Sequence, residues 1–255
     1  MSLFLAAAQL QLRQIFSDRD YTIDLVRAPL LAVVFLALVR QSGRPDLLSN
    51  ALLAPILMAL FSMAMSISGE IVDADRWLGL LEPTIATPVP FPRLVLHRII
   101  TTTMISLIIA VEVVLVCILG FHVVPVVHHP WLFAVAAIVT LAAMACWSLL
   151  MSALFVATRT ARTFQNTLGY PILLLGGTFV PVDSLPEWMR PLTRLVFLSW
   201  SSDLLRDAMA APPVTSVGVR LGAIVVLGLT GLVLGRWLLL RVLRRVRATG
   251  TLGLR

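Results

Sequence analysis

Six long apolar runs constrain this chain more than any other feature of its sequence. They occupy residues 23–39, 47–68, 99–119, 131–156, 164–180 and 217–240. A helix needs about 20 apolar residues to cross a bilayer core of about 30 Å, and a helix satisfies its own backbone hydrogen bonds in lipid. Only 13% of the residues are charged, against about 25% in soluble domains. We therefore predict an all-α integral membrane protein with six transmembrane helices in one domain, residues 1–255.

Two of the six runs have unusual features, and a further helix is predicted before the first run. The first run is apolar without interruption only from Ala28 to Val39, and the fifth contains Pro171 and a glycine pair, which predicts a broken or tilted helix. Residues 1–20 mix leucines with glutamine and arginine. This pattern is typical of an amphipathic helix lying in the membrane interface.

The arginines predict the orientation in the membrane. The chain has 20 basic residues, and all of them are arginine. Fourteen belong to the termini and to the second and fourth loops, including the basic tail at residues 241–255. Positive residues favour the cytoplasmic side, so both termini of this multi-pass protein are predicted to be cytoplasmic.

The absence of lysine excludes several kinds of chemistry. A Walker A motif and a Schiff-base enzyme both need a lysine, so the chain holds neither. We also predict no cofactor in this chain. The arginines are scattered between apolar runs and do not form a patch with interleaved aromatic residues, which argues against nucleic acid as a partner. The pair His128 and His129 has no nearby cysteine or carboxylate in sequence, so we predict no metal site.

A cytoplasmic loop at residues 69–93 is too patterned for a simple connector. It begins with three acids, Glu70, Asp73 and Asp75, and continues with apolar residues that include Trp77 and Leu81. Pro83 is expected to end this short helix, and Pro88 and Pro90 favour an extended return to the membrane. A helix with an apolar ridge and flanking acids suits docking on another protein. The alternative is an interfacial helix lying against lipid.

The external loop at residues 181–217 is predicted to form short helices between the fifth and sixth spans. Asp183 to Trp188 has the form of a helix start, with a capping residue, an early proline and a following acid. Apolar residues then recur at helical spacing as far as Trp200. We expect two short, re-entrant helices that cover the outer end of the protein.

Glu112 is the one carboxylate deep inside a confident span, about 10 Å below the predicted outer surface. A charge at that depth costs at least about 2.5 kcal/mol, so such residues face an interior or a water-filled path. Glu112 is therefore interpreted as an anchor for a cationic or hydroxylated substrate, as a group that takes up a proton, or as a structural residue.

At the two long loops the sequence resembles the type-2 permeases of ATP-binding-cassette (ABC) exporters, a family that includes the daunorubicin-resistance permeases. The cytoplasmic loop carries Gly79-Leu80-Leu81-Glu82 and then Ala86-Thr87-Pro88-Val89. The fifth span and external loop carry Gly177-Thr178-Phe179-Val180-Pro181 and then Leu185-Pro186-Glu187-Trp188. Pro83 and the absence of an Asn-Pro after the external helices depart from the family pattern.

The resemblance implies half of a translocation pathway. It implies a dimer with a second permease chain, identical or divergent, and two copies of an ABC ATPase that bind ATP and Mg. The substrate would be a lipophilic or amphiphilic compound, a drug or lipid for example, exported among membrane lipids. The implied ATPase contacts are Glu70, Asp73, Asp75, Trp77, Leu81 and Glu82. The predicted path or gate residues are Glu112, Phe179, Trp188, Phe197 and Trp200.

Two other classes of function are weaker. An integral-membrane enzyme acting on lipid would use the histidines and Glu112 as acid and base, but no nucleophile with an adjacent base and no H-E-x-x-H motif is present. An ATP-independent secondary transporter would be expected to show an internal repeat and several buried ionisable residues.

Overall fold

The computed structural model describes residues 19–43, 47–77, 90–157, 161–179 and 181–249. These residues form helices and contain no strand. The helices are α1 (Arg19–Ser42), α2 (Leu48–Trp77), α3 (Phe91–Ile105), α4 (Leu107–Phe121), α5 (Pro130–Ala157), α6 (Ala161–Leu175), α7 (Arg190–Thr193), α8 (Phe197–Met209) and α9 (Val217–Thr249). The all-α fold predicted from the sequence is therefore confirmed. The predicted interfacial helix at residues 1–20 lies almost entirely outside the described residues.

Among the residues that the structure describes, four segments are long and apolar enough to cross a membrane: Leu48–Met65, Phe91–Phe121, Pro130–Leu154 and Val217–Val242. They correspond to the second, third, fourth and sixth predicted spans. The third span consists of α3 and α4, which are separated by a single turn residue, Ser106. The first and fifth predicted spans overlap α1 and α6, of which α6 has only 15 residues. The layout with six spans stays a prediction.

The second helix differs from the sequence prediction at its C-terminal end. We expected the span to end at Ser68 and a separate acidic helix to follow. Instead α2 continues without a break to Trp77, over 30 residues. At 1.5 Å per residue it is about 45 Å long, which is longer than a bilayer core is thick. Ser68 and Gly69 do not end the helix. A single residue of low helix propensity lowers the stability of a helix but seldom ends it unless a capping motif or a proline follows.

α5 is the centre of the bundle and packs most extensively against α9. Glycines on α9 permit this approach: a Cβ atom at Gly235 would lie 2.7 Å from the backbone nitrogen of Leu150. The Trp147 indole donates a hydrogen bond of 3.0 Å to the carbonyl of Leu227, which fixes the two helices side by side. At Gly231 a Cβ atom would likewise lie 2.9 Å from the Trp147 side chain, so both glycines permit the close approach of α9 to α5. At Gly218 and Gly222 a Cβ atom would have no neighbour within 4 Å among the described residues.

The remaining long helices pack around α5 and α9. α2 packs against α5 on one side and against α1 on the other, and α1 also contacts α4. The main hydrophobic core joins residues of these helices with α8, and a smaller core forms where α3, α5 and α9 meet. α8 packs on α5 and α9 and reaches the end of α6. This arrangement places α8, the longer of the two short helices described in the 181–217 loop, next to α5.

Candidate translocation site

The C-terminal end of α6 is where the predicted signature residues meet α8. The helix ends at Leu175, and Gly177 follows with a φ of +62°, a left-handed conformation that glycine adopts without strain. Gly176 lies against α8 so closely that a Cβ atom there would be 2.7 Å from a methyl carbon of Leu198. The glycine pair therefore serves both the turn and the close contact. We call residues 176–179 together with Ser202 and Arg206 the α6–α8 junction.

Hydrogen bonds from α8 satisfy the end of α6. The last carbonyl groups of a helix have no partner within it, and a side chain from elsewhere can bind them. Ser202 Oγ donates to the carbonyl of Gly176 at 2.8 Å, and Arg206 Nη2 donates to the carbonyl of Gly177. Thr178 Oγ1 donates back to the carbonyl of Leu173 at 2.7 Å. Two side chains one turn apart on α8 thus fasten it to α6.

Arg206 also belongs to a chain of alternating charges. Asp203 accepts from Arg206 at 3.3 Å and from Arg194 at 3.2 Å, so it joins α8 to the turn after α7. One turn further along α8, Asp207 pairs with Arg220 of α9. Burial lowers the pKa of the Arg206 guanidinium from its ordinary value, and the charges of Asp203 and Asp207 oppose that shift. The junction is therefore held by charges as well as by packing.

The four aromatic residues predicted for the gate occupy different environments. Phe197 is 1% exposed and its ring lies 5.9 Å from that of Trp147, so it belongs to the core. Trp200 donates to the carbonyl of Arg194 at 3.0 Å, and the Arg194 guanidinium lies 4.5 Å from its ring centre. Trp188 is 72% exposed. Phe179 is half-buried and lines a cavity.

That cavity has a volume of about 290 Å³ and lies between α1, α2 and α6. Its wall is mostly apolar, with methionine, leucine and aromatic side chains. The lining residues are Arg27 and Leu31 of α1, Met58, Ala59, Phe61, Ser62 and Met65 of α2, and Gly169, Tyr170, Leu173 and Phe179 of α6 and the junction. We call it the α1–α2–α6 cavity. It extends from Arg27 and Tyr170 to the α6–α8 junction at Phe179.

Glu112 lies elsewhere. It lines a separate groove between α1 and α4, formed with Val26, Pro29, Leu30 and Val33. One of its carboxylate oxygens, Oε2, is buried and has no hydrogen-bond partner among the described residues. The structure therefore separates Glu112 from Phe179, since the groove and the cavity use different faces of α1. Its role as a substrate anchor, a proton-binding group or a structural residue stays open.

The predicted ATPase contacts fall in two groups. Glu70, Asp73, Asp75 and Trp77 belong to the last turns of α2, where the helix is described but their side chains are not. Leu81 and Glu82 lie outside the described residues. The acids are thus carried on a continuous extension of a long helix.

The histidines of the third loop connect it to the end of α8. His128 Nδ1 bonds with the carbonyl of Met209 at 2.7 Å, and His129 Nε2 with the carbonyl of Pro212 at 3.2 Å. The backbone N–H of His129 also donates to the carbonyl of Ala208. These contacts give the histidine pair a structural role between two loops.

Sequence reasoning missed three residues of the site: Arg27, Ser202 and Arg206. Arg27 lines a cavity that forms only where α1, α2 and α6 come together, which no local pattern shows. Ser202 and Arg206 carried a usable signal, because they lie four residues apart on one face of an amphipathic segment. The glycine pair Gly176 and Gly177 ends the preceding helix, α6, and the carbonyl groups there need hydrogen-bond donors from another segment.

The fold and site define a multi-pass helical membrane protein with a mostly apolar cavity between α1, α2 and α6. The sequence matches the family model for ABC-2 type transporters over residues 2–210. This match covers most of the chain, and the chain belongs to that family. Proteins of this family are membrane components of ABC transporters.

Two curated relatives share shorter segments with the chain. Nodulation protein J of Neorhizobium galegae is 33% identical over 94 residues, which is 37% of this chain and 36% of the relative. Nodulation protein J of Rhizobium meliloti (strain 1021) is 34% identical over 61 residues, 24% of this chain and 23% of the relative. The aligned segments therefore span little more than a third of these relatives at most.

Proposed function

We propose that the chain is the permease subunit of an ABC exporter that moves a lipophilic or amphiphilic compound out of the cell. The observation that carries this proposal is the α1–α2–α6 cavity, whose apolar wall leads to the α6–α8 junction. A cavity with few polar groups among many apolar ones suits an amphiphile. The junction would be the outer gate, with Phe179 at the top of the cavity and Phe197, Trp200 and Trp188 around it.

In this proposal the protein lies in a bacterial inner membrane with both termini in the cytoplasm. Two permease chains, identical or divergent, form the complete pathway, and two ATPase subunits bind ATP and Mg. This chain contains no lysine for a Walker A motif, so the energy of transport must be supplied by the partner.

The end of α2 and the residues after it would receive the movement of the ATPase. Acids at Glu70, Asp73 and Asp75 with Trp77, Leu81 and Glu82 would form the contact. α2 also lines the cavity through Met58, Phe61 and Met65. Because one continuous helix carries both features, a displacement at Trp77 reaches the cavity wall without an intervening hinge.

The test is to purify the chain in mild detergent with its ATPase and to measure ATP-driven transport in vesicles. We expect Glu82→Arg and Asp75→Arg to reduce transport at least about 10-fold while the chain stays in the membrane, because each puts a positive charge where an acid meets its partner. The matched control is Glu187→Arg, the same change at an exposed residue of the 181–217 loop.

Normal transport by both Glu82→Arg and Asp75→Arg would contradict the proposal that these residues contact the ATPase. Transport that proceeds without any ATPase, driven by an ion gradient, would contradict the exporter itself. Turnover of lipid by the isolated chain would favour the enzyme alternative.

A further inference from the structure

The groove between α1 and α4 is a second concave surface, and the acid on its wall lacks a partner. It is formed by Val26, Pro29, Leu30 and Val33 of α1 and by Glu112 of α4, and we call it the α1–α4 groove. Glu112 Oε2 is buried without a hydrogen-bond partner, and Glu112 has no ion pair within the part of the chain that the structure describes. Glu112 therefore keeps its capacity to accept hydrogen bonds from a ligand.

The groove lies at membrane depth. Glu112 comes nine residues before α4 ends at Phe121, so it lies about 14 Å from that end along the helix axis. Leu30 and Val33 on one side of the groove and Val111 on the other are exposed and apolar. An acid at such a depth is costly unless it meets a polar or charged group. Hydrocarbon donates no hydrogen bond, so lipid tails alone do not satisfy Glu112.

Pro29 provides a second acceptor close to the groove. A proline has no backbone N–H, so Pro29 cannot donate to the carbonyl of Leu25, one turn earlier in α1. That carbonyl lacks the donor that a regular helix supplies, and it can accept from a ligand. A carboxylate and a backbone carbonyl both require donors, and the carboxylate also favours a positive charge.

We propose that the α1–α4 groove binds a lipophilic primary amine in its protonated form, with the ammonium group on Glu112 and the hydrocarbon along Leu30 and Val33. This inference rests on the proposed exporter function and names a substrate class together with the place where it passes from the bilayer to the protein. An ammonium group has three N–H donors and a positive charge, so it satisfies the carboxylate and a further acceptor at once. An alcohol supplies a single donor and no charge.

α1 places the groove next to the α1–α2–α6 cavity. Leu30 lines the groove, and the next residue, Leu31, lines the cavity. One helix is thus a wall of both, and a compound in the groove is separated from the cavity by the thickness of that helix, about 10 Å. The groove is therefore positioned to receive a compound from the bilayer before it enters the cavity.

A second copy of this chain is the alternative occupant of the groove. If two copies packed through this face, each would bring the same exposed apolar side chains to the other, among them Leu30, Val33, Val111 and Leu115. These side chains have no hydrogen-bond donor, so the contact would leave Glu112 without a partner. Charge complementarity thus favours the amine.

The experiment uses the chain assembled with its ATPase in vesicles, and a dodecylamine that carries a photoreactive diazirine in its alkyl chain. Ultraviolet light should attach this probe to α1 and α4 at the groove, as mapped by mass spectrometry of peptides. Unlabelled dodecylamine should compete at least about 10-fold better than dodecanol, because hydrogen bonds between charged groups are stronger than those of neutral groups. Dodecyltrimethylammonium carries the charge without N–H donors and should be intermediate.

Variants of Glu112 test the role of the carboxylate. Glu112→Gln should lower the labelling about 10-fold, and Glu112→Asp, which keeps the charge on a shorter side chain, should be intermediate. Glu187→Gln is the matched control, the same change at an exposed residue of the 181–217 loop, and should label as wild type does. Thermal unfolding in detergent separates binding from a structural role. Glu112→Gln should unfold at the wild-type temperature, and dodecylamine should raise that temperature in wild type but not in the variant.

A bulkier wall tests the groove without changing its charge. Leu30→Trp should weaken the labelling by filling the groove. Leu38→Trp is the same change at an exposed residue about two turns further along α1, and it should have little effect. Leu30→Trp carries the test if Glu112→Gln does not fold.

The outcomes are distinguishable. Equal labelling of wild type and Glu112→Gln, or equal competition by dodecylamine and dodecanol, overturns the amine site and leaves the exporter intact. Disulfide cross-linking of two chains through Val33→Cys that dodecylamine does not reduce identifies a contact between permeases and also overturns the amine site. ATP-dependent movement of dodecanol but not of dodecylamine overturns the role of the groove in export. No ATP-dependent movement of any probe overturns the exporter proposal itself.

Discussion

Two parts of α6 differ sharply in how they are held. At its C-terminal end, side chains of α8 bind the carbonyl groups of Gly176 and Gly177, and the packing leaves no room for one methyl group at Gly176. In its middle, Gly169 and Tyr170 line an open cavity, and a Cβ atom at Gly169 would meet nothing. The C-terminal end of α6 is thus tightly packed and hydrogen-bonded, whereas its middle borders a cavity.

This difference indicates which part of α6 can move. Tightly packed interfaces exchange between discrete arrangements, whereas a wall beside free volume adjusts with little cost. The cavity side of α6 can therefore shift around a ligand while its C-terminal end stays joined to α8. If the junction opens during transport, α8 has to move with α6 or the hydrogen bonds between them have to break.

The largest expected effect is that of Arg206→Met. The change removes the hydrogen bond to Gly177 and the ion pair with Asp203 from a side chain that is only 11% exposed. We expect the free energy of unfolding to fall by about 2 to 3 kcal/mol, because Asp203 keeps Arg194 as a partner but the carbonyl of Gly177 loses its donor. Thermal unfolding in detergent measures it.

The control for this variant is Arg190→Met, the same substitution at an exposed arginine of α7. Its effect should stay within about 0.5 kcal/mol. Equal losses of stability in the two variants would mean that Arg206 contributes no more than a surface arginine. The interpretation that α8 holds the C-terminal end of α6 through Arg206 would then be wrong.

Gly176→Ala should have the next largest effect. The added carbon would lie 2.7 Å from Leu198 Cδ2 of α8 and 2.9 Å from the carbonyl oxygen of Ile172 of α6, so α8 and the end of α6 must both shift. Such overpacking costs about 1 to 3 kcal/mol. Gly222→Ala on α9 is the matched control, since nothing lies within 4 Å of its Cβ position. An unchanged unfolding temperature for Gly176→Ala would show that the α6–α8 junction accommodates the methyl group at little cost in free energy.

Gly169→Ala should have the smallest effect, and its sign is opposite. The new methyl group enters free space, and alanine favours a helix interior over glycine by about 0.5 to 1 kcal/mol. We expect a small rise in the unfolding temperature with transport nearly unchanged. A marked destabilisation would mean that the middle of α6 is packed as tightly as its end, which would remove the contrast between the two regions.

Much of this fold was predictable from hydrophobic periodicity. Within the described residues, four of the six apolar runs lie in helical segments long and apolar enough to cross a membrane. The end of α2 was not predictable in the same way. Its acidic residues interrupt the apolar pattern but do not break a helix, so hydropathy placed the boundary where the membrane was expected to end.

The site was predictable only in part, because its parts come from distant segments. Phe179 was identified from a local motif, and the structure places it on the cavity wall. The partners of Gly176 and Gly177 lie about 26 to 29 residues away on α8, and the cavity needs α1, α2 and α6 together. A short sequence pattern does not show which distant segments of the chain contact each other.

The unbroken length of α2 has a mechanical consequence. Its residues from Ala51 to Met65 belong to the hydrophobic core, so this part of the rod is held by its neighbours, which include α5 and α1. The stretch from Met65 to Trp77 is about 18 Å long, and a tilt of about 5° about Met65 would carry Trp77 through about 1.6 Å. A rigid helix passes such a tilt to the packed part as a torque, which the core opposes along its whole contact with α2.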